Sequence, residues 1–268
     1  MGMLARALPE AAVPTTNARF EEIVRALDMG FLELLGWDWG RRVITFPREH
    51  PVVGLPDCPV TKCPLAITVA TRPMCRGCME RWSKTDLPLE EFLLIPKATS
   101  RGIGQHPCVV ARCERPQVTV AARLCHTHHL QRTVKLGGIG MEEFLAHPKV
   151  IGLAGLGECK VAACYLGRVS RQDPYCQAHI QRLRRARARP AFDETQWRRT
   201  DKAICTTREI SLRGMPDLLV AEVLYGLWAR VQEGFKTRPE CLRPLYDRLR
   251  AHRVRTLEEV REPDGSKS

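Results

Sequence analysis

The residues of this chain best suited to chemistry are ten cysteines and two histidines in three sets of four. The first set is Cys58, Cys63, Cys75 and Cys78. The second is Cys108, Cys113, Cys125 and His128, and the third is Cys159, Cys164, Cys176 and His179. In each set four residues separate the first pair, eleven the middle pair and two the last pair. First cysteines recur after 50 and then 51 residues, which marks an array of small modules.

Two close pairs of thiolate and imidazole donors suit tetrahedral zinc. Each short spacer closes a tight loop that aims both donors at one ion. The eleven-residue spacer lets the chain turn back with the second pair. Every set supplies four ligands and leaves no open position, so the sites are structural rather than catalytic. The expected cofactor is therefore three structural Zn2+ ions. A disulfide framework fits poorly, because histidine replaces a zinc ligand but not half of a disulfide. In the second set the fourth ligand has a rival. His128 fits the spacing, while His129 fits an alignment of Gln131-Arg132 on Gln181-Arg182, and His126 is close. The other two sets favour His128. Cys205 and Cys241 lie outside the pattern and read as ordinary core or surface residues.

The elements that hold these donors repeat as well. Val60, Val110 and Val161 stand near the first cysteines. Leu89-Glu90-Glu91-Phe92-Leu93 recurs as Met141-Glu142-Glu143-Phe144-Leu145, each soon followed by Pro-Lys. The third module keeps only an echo of this at Phe192. A module of this size buries too little apolar surface to fold alone, so metal must supply much of its stability. Upstream, Asn17 is placed as the N-cap of a helix through Phe20, Ile23, Val24 and Leu27, with a second short helix over 29–35. This segment, with Trp37, Val43, Ile44 and Phe46, is expected to pack on the first module. Downstream, Leu218, Leu219, Val223, Leu224, Leu227, Trp228 and Val231 fall at helical spacing. Leu242, Leu245, Tyr246 and Leu249 form a second helix, and a short third is expected from Thr256 to Val260.

The expected architecture is three tandem zinc modules flanked by an N-terminal helical segment and a C-terminal all-α bundle. The divisions are 1–57 (helical segment), 58–100, 101–150 and 151–190 (modules, the last with a basic helix), 191–261 (bundle) and 262–268 (disordered tail). No apolar run is long enough to span a membrane, and Met1 to Ala12 is a poor secretory signal. A cytoplasmic protein with no membrane partner is expected.

The net charge is +12, with 42 Lys plus Arg against 30 Asp plus Glu. This is the electrostatic footprint of a polyanion binder. Arg182, Arg184, Arg185, Arg187 and Arg189 crowd behind the last zinc ligand with few acidic neighbours. They are expected to contact the phosphates of double-stranded DNA. Aromatic residues make up only 6%, so there are few rings for the base stacking that RNA-binding zinc knuckles use. No phosphate-binding P-loop and no GxSxG nucleophile elbow occurs. The glycine-rich stretch 137–140 reads as a turn between modules. A protein–protein adaptor built from zinc modules is the rival reading.

Several stretches resemble the N-terminal half of bacterial tyrosine-type site-specific recombinases, or integrases. They are Gly36-Trp37-Asp38, His50-Pro51 with Gly54, and the zinc modules with Glu-Glu-Phe-Leu behind the first two. To these add 210–216, Ile-Ser-Leu-Arg-Gly-Met-Pro, followed by 220–227, Val-Ala-Glu-Val-Leu-Tyr-Gly-Leu. The last helical part is similar to the SAM-like core-binding domain that grips DNA in that family. The resemblance implies a role in DNA integration or recombination of a mobile element. It also implies a recombinase catalytic subunit as a partner. That family cuts DNA with a tyrosine nucleophile behind an HxxR motif. Here HxxR occurs as His129–Arg132, His179–Arg182 and His252–Arg255. The first two sit in zinc modules, and Tyr246 is the last tyrosine. Too few residues follow Arg255 for a catalytic domain, so no catalytic residue carries over and no enzyme activity is expected.

Overall fold

The computed structural model describes residues 16–69, 71–97, 106–119 and 121–260. The readings of Met1 to Ala12 and of the tail 262–268 lie outside the described residues. The chain opens with α1 (Thr16–Ala26) and α2 (Met29–Leu34). The apolar stripe of α1 lies inward as expected, and Leu27 just beyond it is buried. Asn17 is the second residue of α1 rather than its N-cap. Asp28 caps α2, its carboxylate accepting from the Phe31 N–H at 2.6 Å. A short strand, β1 (Val43–Thr45), follows.

Each zinc module contributes two short helices. These are α3 (Arg76–Trp82) and α4 (Leu89–Leu94), then α5 (His126–Leu130) and α6 (Met141–Ala146), then α7 (Gln177–Arg187) and α8 (Glu194–Thr200). A π-helical turn, Gln131–Lys135, extends α5. The chain closes with β2 (Glu209–Ser211), α9 (Asp217–Gln232), α10 (Pro239–Ala251) and a 3-10 turn over Leu257–Glu259.

The two ends of the chain share one hydrophobic core. β1 and β2 pair antiparallel, with Ile44 opposite Ile210. Backbone bonds from Phe46 N–H to the Arg208 carbonyl and from Leu212 N–H to the Arg42 carbonyl, each 2.9 Å, extend the pair. α1 lies on α9. Phe31, Leu32, Leu35, Ile44 and Phe46 are buried with Leu212, Leu219, Val220 and Leu224. α9 is buried continuously from Leu218 to Leu224, because it lies between α1 and the rest of that core. Glu222, 6% exposed, sits among these side chains. It pairs with Arg19 of α1 at 3.1 Å and accepts from the Leu257 N–H at 2.6 Å.

Two expectations change here. Among the described residues, the N-terminal segment shares its core with the first module only through Ala66 and otherwise packs on residues 210–254. The C-terminal unit is not all-α, because β2 belongs to it. The three modules are thus an insertion between two halves of one core.

The third module is clamped to that core. The Ser211 hydroxyl donates to the Ala163 carbonyl at 2.7 Å, and the Tyr165 hydroxyl donates to Glu209 at 2.6 Å. Arg213 binds Glu158 at 3.0 Å. Gly214 has φ +76°, and a Cβ there would stand 3.0 Å from that of Ala162. Only glycine allows both the backbone turn and the close approach. Because the core is split, the fragment 191–261 alone should show no cooperative thermal transition by circular dichroism. Adding residues 16–57 in trans should restore one. A cooperative melt of the isolated fragment would contradict a shared core.

Candidate metal centres

The three modules build their first ligand pair in the same way. The N–H of Cys58, Cys108 and Cys159 donates to the carbonyl of Leu65, Arg115 and Leu166, each at 2.9 Å. The N–H of Cys63, Cys113 and Cys164 turns back to the carbonyl of Val60, Val110 and Val161. Single antiparallel bridges, Asp57 with Ala66, Pro107 with Pro116 and Glu158 with Gly167, close each loop. In the first two modules the residue before the second cysteine, Lys62 or Arg112, adopts a left-handed φ of 59° or 57°. The three valines are buried under the loops.

The second ligand pair comes from a helix start. Cys75, Cys125 and Cys176 are the N-cap residues of α3, α5 and α7, all with extended backbone. The fourth ligand lies three residues on, within the first helical turn. The donor atoms of each set lie within 4.8 Å of one another.

Four ligands on a tetrahedral zinc, with sulfur at about 2.3 Å from the ion, place two sulfurs about 3.8 Å apart. Cys63 Sγ stands 3.7 Å from Cys75 Sγ and 3.6 Å from Cys78 Sγ. Cys113 and Cys125 are 4.0 Å apart, and Cys164 and Cys176 are 3.9 Å apart. All twelve cysteines are free of disulfides. The donor sets, one of four cysteines and two of three cysteines with a histidine, therefore fit three structural zinc ions.

The fourth ligand of the second module is His128. Its Nδ1 stands 3.3 Å from Cys108 Sγ and 3.4 Å from Cys125 Sγ. His179 repeats this, with Nδ1 at 3.4 Å from Cys159 and 3.1 Å from Cys176. His128 Nε2 donates to the Ile151 carbonyl at 2.9 Å, and His179 Nε2 donates to the Lys202 carbonyl at 3.1 Å. A proton fixed on Nε2 leaves the Nδ1 lone pair for the metal. His129 is outside the cluster. Just beyond, α5 runs into a π-helical turn, where the Leu136 N–H reaches back five residues to the Gln131 carbonyl at 3.0 Å.

Crowded donors titrate far apart. Hydrogen bonding to Cys125, with further bonds to backbone and His128, brings Cys108 down to about 4 against its burial. Cys125 is pushed up by its bond to Cys108 and by burial. Burial would lower His179, yet its bonds to Cys159 and Cys176 raise it to about 10. Without a cation each cluster retains protons that its ligands must lose. A divalent ion removes that conflict by neutralising the thiolates.

An aromatic ring covers the helix-borne ligands in every module. Phe92 of α4 is buried with Cys75 and Cys78. Phe144 of α6 meets the His128 ring edge-on at 6.2 Å, and Trp197 of α8 meets His179 at 6.0 Å. Backbone bonds establish the equivalence of Phe92 and Trp197. The Thr61 N–H donates to the carbonyl after Phe92, and the Ala162 N–H donates to the carbonyl after Trp197. The third counterpart of Phe92 is therefore Trp197, not Phe192, which packs beside it. Sequence comparison of the modules missed it because Glu194-Thr-Gln-Trp shares only one acidic residue with Glu-Glu-Phe and lies further from the ligands. It also missed Lys97, whose Nζ stands 3.6 Å from Cys63 Sγ beside the more negative, all-cysteine set.

The basic helix α7 divides its arginines between two roles. Ala178, His179, Ile180, Leu183 and Ala186 are buried on one face. Arg182 donates to the Lys202 carbonyl at 2.7 Å and faces Asp201, and Arg187 pairs with Glu194 at 2.8 Å. These two of the five expected DNA-contacting residues have internal partners. Arg184, Arg185 and Arg189 are exposed and, among the described residues, without an ion pair. Among the described residues no helix is long and apolar enough to cross a membrane.

The folds and ligand sets together define a tandem zinc-module protein. Comparison of the chain with protein-family models, with curated proteins and with solved structures finds no match.

The ligand assignment predicts metal content. His128→Ala should lower the bound zinc from three to two equivalents, measured by mass spectrometry of the desalted protein, whereas His129→Ala should keep three. The reverse pattern would overturn the assignment. Phe144→Ala removes a fully buried ring and should destabilise the second module by about 3–5 kcal/mol. It should also release zinc to a competing chelator before the other two ions.

Proposed function

We propose that this chain is a zinc-dependent protein that binds double-stranded DNA. On this reading it is the non-catalytic, integrase-like part of a recombination system, has no strand-transfer activity of its own and works in the cytoplasm beside a recombinase catalytic subunit. The observation that carries the reading is the outer face of α7. Its inner face is pinned by a zinc ligand and four apolar or small residues. Arg184, Arg185 and Arg189 therefore stand on a rigid support in a chain of net charge +12. Guanidinium groups carried on a held backbone suit phosphate oxygens. The integration role is supported by the sequence of the 210–227 stretch, which resembles a core-binding domain.

A second reading has one observation in its favour. Leu130 and Val134 lie one turn apart on the helix of the second module, 42% and 72% exposed. They would suit a protein partner for an adaptor.

Binding of the zinc-loaded chain to duplex DNA across a salt series separates the two. Arg184→Glu, Arg185→Glu and Arg189→Glu together should weaken binding at least tenfold. They should also flatten the salt dependence, by about 0.9 in slope for each phosphate no longer neutralised. Arg187→Glu should matter less for DNA, because Arg187 is already paired with Glu194. Wild-type protein with three zinc ions and no affinity for DNA at about 50 mM salt would sink the DNA reading and leave the adaptor.

A further inference from the structure

We infer that the cleft between α8 and the end of α10 is a second phosphate-backbone site, separate from α7, through which one strand of duplex DNA passes. The inference rests on the DNA-binding reading and adds a location to it. The cleft has a volume of about 620 Å³. Its walls include Thr195, Gln196, Arg199 and Thr200 from α8 and Arg253 and Arg255 from the turn after α10.

Three features point to a phosphodiester. First, Arg199, Arg253 and Arg255 are exposed, and none forms an ion pair among the described residues. Ion pairs elsewhere use up neighbouring cations, such as Arg213 with Glu158 and Arg42 with Asp217. Three arginines left unpaired around one concavity are a local excess of positive charge that low-dielectric walls focus. Second, the carboxylate lining the cleft, Asp193, is already engaged as the cap of α8, accepting from the Thr195 N–H at 2.7 Å. Third, the floor is rigid. Arg250 is 7% exposed and donates to the carbonyls of Arg213 and Ser211 and to Asp247, at 2.8, 2.9 and 2.9 Å. It is a structural post rather than a contact for ligand. Arg253 itself holds a left-handed backbone, φ 54°, a conformation that costs a non-glycine residue energy and persists where the surroundings impose it.

The lining also argues against other anions. A pocket for a small cofactor is mostly apolar and aromatic, whereas here the guanidinium groups of Arg199, Arg253 and Arg255 share the lining with small aliphatic residues such as Ala162, Pro216 and Val254. Among the described residues no aromatic ring lines the cleft, so bases have nothing to stack on, which disfavours a single strand.

The test compares two neutralised variants of equal charge. Arg199→Gln, Arg253→Gln and Arg255→Gln are combined in one. Arg25→Gln, Lys84→Gln and Lys236→Gln, exposed and away from the cleft, are combined in the other. Both should keep three zinc ions and the wild-type melting temperature. The cleft variant should bind duplex DNA at least tenfold more weakly, with a salt slope shallower by about 2–3, and the control should change less than threefold. A photo-crosslinker at Gln196 should also label DNA. Equal weakening in the two variants, or none in the cleft variant with no crosslink, would overturn the cleft while leaving DNA binding through α7 intact. Failure of the wild-type chain to bind DNA would instead overturn the underlying reading together with the cleft.

Discussion

Metal ligation is the constraint on which the modules depend. Among the described residues, the fully buried cluster of the second module holds, apart from its ligands, Val110, Leu124 and Phe144, with a few partly buried residues such as Leu136, Ile139 and Met141 around them. That is far too little apolar burial to offset the conformational entropy of a whole module. The remaining order comes from the four donors. They close the first-pair loop, fix the start of the helix and pull the second helix over the site by its aromatic ring. The backbone bonds that recur in all three modules are short and local. They define a shape only once the ion holds both pairs together.

The same constraint explains why the modules can be inserted into another core. A module that carries its own stabilising ion does not need to contribute strands or long helices to its host. The host in turn closes through contacts between residues far apart in the chain, such as Ile44 with Ile210. Closing so long a loop is costly in entropy, although metal-bound modules already restrict the intervening chain. The third module is the one bound most intimately to the host, through Gly214, Ser211, Tyr165 and Arg213. Its helices α7 and α8 therefore hold a fixed place relative to α9 and α10.

The zinc ligands were legible because ligand chemistry is discrete: a thiol or an imidazole at the right spacing has no close substitute. The long helices were legible for a similar reason, since α9 and α10 carry several turns of apolar periodicity. The pairing of β1 with β2 was hidden. Each strand has three residues, too short for an alternating pattern, and no local signal names a partner so remote. The Phe192 reading failed through a related weakness. The ring that covers His179 is selected by its place over the metal site, and a different spacing delivers Trp197 to that place. The role of Arg187 was hidden in another way. A run of arginines reads as uniform charge, but a helix distributes it around its axis, and Glu194 of the next helix claims one member.

That division of the arginines also governs how charge is presented. Arg182 and Arg187 stitch α7 to Asp201 and Glu194 and so fix the angle between α7 and α8. The remaining cations are then carried on a framework held by the ion at one end and by the shared core at the other. A flexible basic tail of the same composition would lose much of its binding energy in ordering its side chains and backbone. Here the backbone part of that ordering is completed during folding and zinc binding. The placement of these cations thus depends on the metal indirectly: without the ion the arginines keep their charge but lose the common framework that positions them.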